Sequence, residues 1–453
     1  MSKVKHVLII VQNLPVPLDR RVWLECQALV AHGYAVSVIC PKGPGDQARE
    51  QIDGVQIYKY RPAPEAEGLP GFVVEFAYSW LRTAWLSTRV WRHRHFDVIQ
   101  ACNPPDTYWL LARLWRSRGV KFVFDQHDLN PELFLSRFGE PASLRERLEY
   151  KALIWLEKMT YRTADRVVST NESYKTKALT RGHRRPEDVT VVRSGPDTRR
   201  MRPIYPDPRI RQHTGFLLVY LGIMGPQDGV DLVLDVMNEL VYRRGRADVH
   251  AALLGFGDCL DSLKHRCSEL DLDKWVTFTG RADKAMIADY LSSADVGLCP
   301  DRKTPLNDIS TMNKTMEYMA YALPSVSFNL VETRVSGGDC VLYVESGDLH
   351  GFADEIERLL DNPDLRAQMG LRARQRVVKE LDWQPQSLRY VGVFDDLLGV
   401  DDAGNARRPE PEGINTEING FDTQGRRYVD VDDEDALQRF VIDRSDPGPH
   451  GKV

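Results

Sequence analysis

The chain has 453 residues, of which 42% are hydrophobic and 28% charged, and its formal net charge is −5. This length is sufficient for two domains with separate cores, and the mild negative charge gives no electrostatic case for a nucleic-acid partner. The seven cysteines are scattered without a C-x-x-C pair, which predicts buried thiols of a reducing compartment and excludes a disulfide framework or a zinc site.

The first residues lead directly into an apolar run at 7–11, which is too short for the apolar region of a secretion signal. No stretch of eighteen uncharged apolar residues occurs along the chain. We therefore expect a cytoplasmic protein that does not span a membrane.

Short apolar runs alternate with longer amphipathic segments, which predicts β-α units around a parallel sheet. The first unit has a strand over 7–11, a helix over 19–32 and a strand over 35–40. Its loop carries Asn13 and leads to Arg21, at the sheet edge where open α/β folds bind ligands. Arg21 is a candidate contact for an acceptor or a phosphate, although arginines in the first turn of a helix are often only solvated.

A long helical segment over 70–95 interleaves tryptophans with arginines. This composition suits contact with the interface of an anionic membrane. The alternative, which is as well supported by the sequence, is that the tryptophans pack on the sheet while the arginines face water.

Two further strands are predicted at 96–101 and 121–125, and each ends in a polar loop. The first loop begins with Asn103, and the second contains His127 and Asp128. A single histidine is more often structural than functional, but this one follows a strand, is flanked by aspartates and opens a loop. His127 is therefore a candidate site residue.

The rest of the first half contains a helix over 143–163 and strands over 166–170 and 189–193. A Pro- and Arg-rich stretch at 199–214 then lacks apolar periodicity and is predicted to connect two domains.

The β-α pattern restarts at 216–221 and is followed by a turn that contains Gly222, Gly225 and Gly229. Glycines between a strand and a helix let backbone N–H groups approach a phosphate closely, although a simple tight turn would use them too. Later strands end in similar turns, at Gly255 and Gly257, and at Gly280 followed by Arg281.

The stretch 308–326 predicts a polar loop, a helix start and a buried strand. Ser310 or Thr311 could cap the helix, with Asn313 and Lys314 in its first turn and Glu317 one turn later on the same face. A lysine at a helix N-terminus is unfavourable unless an anion lies nearby, and a phosphate is the usual candidate. The alternative is a solvated Lys–Glu pair worth about 0.3 kcal/mol.

Beyond residue 400 the sequence becomes polar, acidic and proline-bearing. This composition predicts a disordered tail over 401–453. The Asp-Val-Asp pattern at 430–432 is interpreted as part of a solvated charge run, so no metal is expected there.

The motif Asn313-Lys-x-x-Glu-Tyr-Met-Ala, followed by a short strand that begins at a proline, resembles the donor-binding helix of retaining glycosyltransferases of family 4. The resemblance covers roughly residues 4–398. It implies an α/β protein of the GT-B fold, with two facing Rossmann-like domains and a deep cleft between them. Two features depart from the family pattern: Ile309 replaces a second glutamate, and the turn at 222–229 lacks the usual arginine and lysine.

The resemblance divides the chain into an acceptor domain (1–198), a linker (199–214), a donor domain (215–382), a terminal helix that returns to the first domain (383–400) and the tail (401–453). It implies catalytic roles for His127, Glu317 and Lys314, and no metal or cofactor besides the donor substrate. The donor-binding candidates are Gly222, Gly225, Gly229, Gly255, Gly257, Gly280, Arg281, Arg302 and Asn313. The acceptor-side candidates are Asn13, Arg21, Asn103 and Asp128.

The implied function is transfer of a sugar, with retention of configuration, from a nucleoside-diphosphate sugar to an acceptor hydroxyl. The acceptor would be a glycan or a lipid-linked molecule of surface polysaccharide biosynthesis, handled at the inner face of the plasma membrane. A nucleotide-sugar epimerase of the same fold, and a catalytically weak partner subunit, are the alternatives.

Overall fold

The computed structural model describes residues 4–63, 68–211, 215–400, 420, 422 and 425–445. These residues form two compact units. The first comprises the described parts of 1–194 and 384–415, and the second those of 195–383 and 416–453. Both units contain a largely parallel sheet covered by helices, so the predicted α/β class with two Rossmann-like domains is confirmed.

The first unit is built on an eight-stranded sheet in the order β3-β4-β2-β1-β5-β6-β7-β8. All neighbouring strands are parallel except β3 and β4, which form an antiparallel hairpin that the sequence analysis did not predict. The strands are β1 (His6–Ile10), β2 (Ala35–Pro41), β3 (Arg49–Ile52), β4 (Val55–Tyr60), β5 (Val98–Cys102), β6 (Lys121–Gln126), β7 (Arg166–Ser169) and β8 (Val189–Val191).

The central strands of this sheet are apolar because helices cover both faces. Asp19 caps the first helix by accepting a hydrogen bond from the Val22 N–H, and Ser143 and Glu146 form a capping box at the start of another. The helices are α1 (Arg20–Ala31), α2 (Gly68–His93), α3 (Trp109–Arg116), α4 (Asn130–Phe138), α5 (Leu144–Thr163) and α6 (Glu172–Thr180).

The tryptophans of α2 do not all pack on the sheet. Trp80 and Trp91 pack against the core of the first unit. Trp85 instead points outward, where the guanidinium groups of Arg82 and Arg89 lie 5.1 and 4.8 Å from its ring centroid. No helix among the described residues is long and apolar enough to cross a membrane.

Helix α14, which follows the second unit in sequence at Trp383–Leu398, contributes most of its residues to the first unit. The Tyr390 hydroxyl donates to Gln100 Oε1 at 2.5 Å, and the Tyr34 hydroxyl donates to Asp395 Oδ1 at 2.5 Å. These contacts tie a late segment of the chain to strand β5 and to the residue that precedes β2.

The second unit contains a six-stranded parallel sheet in the order β11-β10-β9-β12-β13-β14. Its first strand is central, and later strands are added on either side, so the strand order reverses between β9 and β12. Clusters of buried side chains cover both faces. The strands are β9 (Phe216–Ile223), β10 (Val249–Phe256), β11 (Val276–Gly280), β12 (Val296–Cys299), β13 (Ser325–Phe328) and β14 (Val341–Val344).

The helices of the second unit include two that continue into short π-helical segments, at Glu239–Arg243 and Val377–Leu381. Residues 199–211, predicted as a linker, belong to this unit, and Ile204 is fully buried in it. The helices are α7 (Val230–Asn238), α8 (Leu260–Glu269), α9 (Lys284–Ser293), α10 (Asn313–Ala320), α11 (Val331–Gly337), α12 (Leu349–Leu360) and α13 (Pro363–Arg376).

Part of the predicted tail has a defined structure. Residue Tyr428 forms a β-bridge with Ile204, and helix α15 (Glu434–Ser445) packs against α13. The structure differs from the sequence prediction here because acidic side chains on the outer face of α15 conceal an apolar face that includes Phe440 and Val441. The predicted disorder of 401–419 lies outside the described residues.

Two buried arginines terminate helix α10. Arg444 of α15 donates to the carbonyl oxygens of Tyr321, at 3.0 Å, and Ala322, while Arg374 of α13 donates to that of Ala320 at 2.7 Å. Burial lowers the pKa of each guanidinium to about 10. These bonds satisfy carbonyl groups that a helix C-terminus otherwise leaves without partners.

We expect Arg444→Ala to lower the free energy of unfolding of the second unit by about 2–3 kcal/mol, because it leaves two buried carbonyls unsatisfied. The matched control is Arg439→Ala on the same helix, where the side chain is exposed, with an expected effect within about 0.5 kcal/mol. Urea denaturation measures both. Equal effects of the two variants would show that the hydrogen bonds from Arg444 to the end of α10 contribute nothing to stability.

Candidate active site

The candidate site residues of the first unit lie at the carboxyl edge of its sheet. The strand order reverses between β1 and β5, which is where open α/β sheets bind ligands. The two loops at this point are linked, since the Tyr108 hydroxyl donates to Gln12 Oε1 at 2.9 Å. Strand β6 is the next neighbour, and it delivers His127 to the same edge.

Asp125, at the end of β6, is the centre of a buried hydrogen-bond network. One of its oxygens accepts from Arg21 Nη2 at 3.1 Å, while the other lies 2.6 Å from His127 Nε2 and accepts from Gln100 Nε2 at 3.0 Å. Glu25 extends the network, with its oxygens 3.0 Å from Arg21 Nε and 2.8 Å from Gln100 Nε2. Asp125 and Glu25 are both fully buried.

The charges of this network shift one another's pKa values. Burial raises the pKa of Asp125, but Arg21 and His127 outweigh burial and hold it well below its usual range. Burial and the neighbouring Asp125 raise the pKa of Glu25 to about 8. Burial lowers the pKa of His127, and Asp125 reverses this effect and raises it to about 9. The imidazole is therefore a cation at neutral pH, with Nε2–H donated to Asp125.

Asn103 holds the backbone around the histidine. Its Oδ1 accepts from the N–H groups of His127, at 2.8 Å, and Asp128, at 3.2 Å, and its Nδ2 donates to the Asp128 carbonyl at 2.7 Å. Asn103 is almost completely buried, so this amide shapes the loop. Burial raises the pKa of the Asp128 carboxyl group.

Four potential metal-binding groups in this cluster lie close together. The ligand atoms of Glu25, Cys102, Asp125 and His127 are within 4.8 Å of one another. Arg21 and Gln100, however, already donate to the two carboxyl groups, and His127 donates to Asp125. These donors use the lone pairs that a cation would need, so the cluster fits an ion-pair network better than a metal centre.

The remaining acceptor-side candidates differ in their placement. Arg21 is directed into the network, and its Nη1 also donates to the Val192 carbonyl at 3.0 Å and to Ser194 Oγ at 2.8 Å. The structure thus gives this arginine a structural role. Asn13 is exposed in the loop after β1. Neither finding tests a contact with an acceptor.

In the second unit, glycines allow the loops at the carboxyl edge to pack closely. A Cβ atom on Gly255 would lie 1.9 Å from the Gly222 carbonyl oxygen, and one on Gly229 would lie 2.1 Å from that of Pro300. Gly257, at φ +150°, lies against the backbone of Met224. The turn after β9 is therefore packed against the loops that follow β10 and β12, at the point where the strand order reverses.

Lys314 lies beneath this turn and is paired with a carboxylate that the sequence analysis missed. Its Nζ donates to Asp301 Oδ1 at 2.5 Å and lies 5.2 Å from the ring centroid of Tyr220. Burial lowers the pKa of Lys314, but Asp301 outweighs burial and the pKa is raised. The other oxygen of Asp301 is buried and accepts no hydrogen bond from any described residue. The lysine is thus charged and balanced by Asp301.

Helix α10 begins differently from the sequence prediction. Its N-cap is Met312, without a capping side chain, whereas Ser310 donates its hydroxyl to the Leu306 carbonyl at 2.8 Å. The helix thus begins one or two residues later than the predicted caps, Ser310 or Thr311. Asn313 is exposed in the first turn, and Glu317 is buried one turn later.

The two candidate arginines of the second unit occupy different places. Arg302 follows β12 and forms an ion pair with Asp231 in the first turn of α7. Arg281 follows Gly280 at the end of β11, with its guanidinium carbon 5.2 Å from the ring centroid of Phe256. Arg302 therefore lies beside the glycine turn, and Arg281 lies toward the edge of the sheet.

Two family models match the chain. A "Glycosyl transferase 4-like domain" matches residues 18–195, and "Glycosyl transferases group 1" matches residues 215–362. The glycogen synthase of Mycobacterium tuberculosis is 24% identical over 210 residues, which are 46% of this chain and 48% of that protein. The chain thus spans about half the length of the curated relatives it matches.

Solved structures resemble almost the whole chain. Sucrose-phosphate synthase from Thermosynechococcus elongatus has a TM-score of 0.67 and 17% identity, over 88% of this chain and 100% of that one. Anabaena Alr3699/HepE in complex with UDP-glucose has a TM-score of 0.63 and 14% identity, over 86% and 99%. These likenesses show the GT-B fold, and the matches as a whole do not favour an epimerase.

We expect Asp125→Asn to lower the pKa of His127 from about 9 to its ordinary value of 6.5 or below, because burial would then act without the carboxylate. The raised pKa stabilises the fold fully below pH 6.5, and this contribution is lost as the pH rises through 9. NMR titration of the imidazole, with circular dichroism to check folding, measures the shift. Asp128→Asn is the control, and an unchanged His127 pKa in Asp125→Asn would contradict the assignment.

We expect Gly255→Ala to destabilise the second unit by about 1–3 kcal/mol, because its methyl group would overlap the Gly222 carbonyl. Gly245→Ala is the control: its φ is +71°, but no atom lies within 4 Å of the added carbon. Its cost should be limited to about 1 kcal/mol of backbone strain. Thermal unfolding measures the loss of stability in both variants. A loss in Gly255→Ala smaller than that in Gly245→Ala would disprove the close packing around Gly255.

Proposed function

We propose that this chain, which has the GT-B fold, is a retaining glycosyltransferase that moves a sugar from a nucleoside-diphosphate sugar to an acceptor hydroxyl. One observation carries the proposal. At the point of strand reversal in the second unit, the glycine turn, the Lys314–Asp301 pair and the helix that bears Glu317 lie together. Such a point is the usual nucleotide site of an open α/β sheet.

The donor would be held mainly through backbone groups and α10. The absence of side chains on Gly222 and Gly225 permits close approach of a diphosphate to the turn. The start of α10 adds the positive end of a helix dipole. Glu317, one turn into α10, would accept hydrogen bonds from the ribose hydroxyls. The Alr3699/HepE structures that contain UDP and UDP-glucose support a nucleotide-sugar donor of this kind.

Departure of the nucleoside diphosphate leaves negative charge on the phosphate. Lys314 would stabilise this charge if its ammonium group donated one hydrogen bond to a phosphate oxygen and another to Asp301. The pair is already buried and oriented, so little reorganisation would be needed, and preorganised donors of this kind supply several kcal/mol. We propose that this step needs no metal; a transfer rate unaffected by a chelator would support that, and a lost rate would refute it.

His127 would act on the sugar as a hydrogen-bond donor. Its Nε2–H is committed to Asp125, which leaves the Nδ1–H of the cation for a sugar hydroxyl. A cation cannot act as a general base, so the leaving phosphate would take the acceptor proton, as in the front-face mechanism that the family resemblance implies. Retention of configuration is part of this proposal.

The acceptor is proposed to be a glycan or a lipid-linked molecule of surface polysaccharide synthesis, used at the inner face of the plasma membrane. This part is supported by the family resemblance and by the exposed Trp85 with its flanking arginines on α2. Radiolabelled transfer to lipid extracts, compared with transfer to soluble glycans, distinguishes the two acceptor classes.

A catalytically weak partner subunit is the second candidate, and the charges of the second unit favour it. Lys314 is balanced by Asp301 and Arg302 by Asp231, and Asp228 accepts the Gly225 N–H at 2.8 Å. The described groups around the turn thus offer no net positive charge to a diphosphate. A subunit with this arrangement would bind a nucleotide sugar weakly or not at all.

Calorimetric titration with a panel of nucleoside diphosphates and their sugars tests both candidates. We expect one nucleotide to bind to the wild type, and Glu317→Gln to weaken it by about tenfold or more, because the ribose loses a charged acceptor. The control is Glu269→Gln on α8, whose side chain is exposed, and it should bind as the wild type does.

Each result of the titration decides between the candidates. Binding that is lost in Glu317→Gln and kept in Glu269→Gln supports the transferase and its donor site. Binding that survives in Glu317→Gln places the ribose elsewhere. An absence of binding at millimolar nucleotide, with every protein folded, contradicts the transferase and favours the partner subunit.

A further inference from the structure

The first unit exposes several large apolar side chains on helices α2 to α5. They include six side chains that are between 47% and 71% exposed. Five of the six lie on helices α2, α3 and α5, and Phe138 is the last residue of α4. We call this surface, with the basic side chains among it, the apolar–basic face, and its apolar members are Leu81, Trp85, Leu114, Phe138, Leu148 and Trp155.

The charges interleaved with these side chains are predominantly positive. Residues 68–163 contain fourteen Lys and Arg and ten Asp and Glu, although the whole chain has a net charge of −5. Four of the ten acidic groups are buried. On α5, Glu149 is paired with Arg145, whereas Arg147 and Lys151 are exposed beside Leu148. The segment that carries this face therefore has an excess of basic side chains, and exposed cations lie beside Trp85 and Leu148.

Contacts within the first unit place this face at the carboxyl edge of the sheet. The Thr83 hydroxyl of α2 lies 3.4 Å from that of Tyr108, which precedes α3 at this edge. Trp155 of α5 packs edge-on against Trp109, the first residue of α3, at a centroid distance of 5.8 Å. Helix α4 begins at Asn130, three residues after His127, and ends at Phe138.

We propose that the apolar–basic face binds the surface of an anionic bilayer. Leucine, phenylalanine and tryptophan would enter the boundary between headgroups and acyl chains, while the arginines and Lys151 would contact lipid phosphates. Charge complementarity selects this partner, because a second copy of the same face would bring like charges together. The stacking of Arg82 and Arg89 on Trp85 keeps cations beside the ring that would enter the interface.

The face lies at the same edge as the loops of Asn103 and His127. Docking would hold these loops beside the membrane, where a lipid-linked acceptor presents its hydroxyl. This consequence rests on the proposed function, whereas binding to a bilayer does not require sugar transfer. Vesicle binding and nucleotide titration can therefore fail independently of each other.

Vesicle sedimentation of the full chain tests the proposal. The probes are vesicles of equal parts phosphatidylglycerol and phosphatidylcholine, and vesicles of phosphatidylcholine alone. We expect binding to the anionic vesicles that weakens as salt increases, and little binding to the neutral ones. Leu148→Glu should weaken anionic binding by about tenfold or more, because a carboxylate would enter the interface.

The matched control is Leu388→Glu on α14, because Leu388 is 61% exposed and Leu148 is 60% exposed in the same unit. It should bind vesicles as the wild type does, and circular dichroism checks that both variants fold. Replacing both Arg147 and Lys151 with glutamine tests the charges and should weaken binding by about fivefold or more.

Other outcomes would overturn the proposal. These are the absence of vesicle binding, equal losses in Leu148→Glu and Leu388→Glu, and salt-independent binding to neutral vesicles. Self-association in sedimentation velocity that Leu148→Glu abolishes, without vesicle binding, would assign the face to a second copy of the chain instead.

Discussion

The first unit is organised by the need to pair one buried charge. Asp125 lies at the end of a central strand without access to water, and a carboxylate in that position is stable only with several donors. Its partners come from α1, β5 and its own loop, and Gln100 extends the network to Tyr390 on α14. Four segments distant in sequence therefore meet at one group, and the orientation of the candidate histidine is set by the interaction that holds them together.

The second unit handles its charges differently. The charges of Lys314 and Asp301 balance each other beneath the turn after β9. The glycines of this turn have no side chains, so the neighbouring backbone segments approach it closely. An arrangement of this kind binds an anion through N–H groups and a helix end, and it supplies directional contacts with little long-range attraction. Donor recognition would then depend on shape and on hydrogen bonds to the ribose more than on net charge.

Much of the fold was predictable because local patterns and tertiary structure agree. Alternating apolar and amphipathic segments predicted both sheets, and strand ends located His127, Asn103 and the glycine turns. The hairpin β3–β4 was missed because β3 is short and partly exposed and because Gln56 and Lys59 interrupt the apolar run of β4. Glu25 and Gln100 were missed because polar residues inside a helix or a buried strand acquire partners only through long-range contacts. Helix α15 was missed because its sequence is rich in acidic residues. Its apolar face is buried only by packing against α13, which the sequence alone does not indicate.

The two arginines that terminate α10 have a consequence for the order in which the chain acquires structure. Carbonyl groups at the end of the candidate donor helix obtain their partners from residues 374 and 444. Gln100 of β5 and Tyr34, just before β2, obtain theirs from residues 390 and 395. During synthesis, both sheets emerge from the ribosome before these partners exist. We therefore expect the nascent chain to remain incompletely packed until residues 374–444 have been translated.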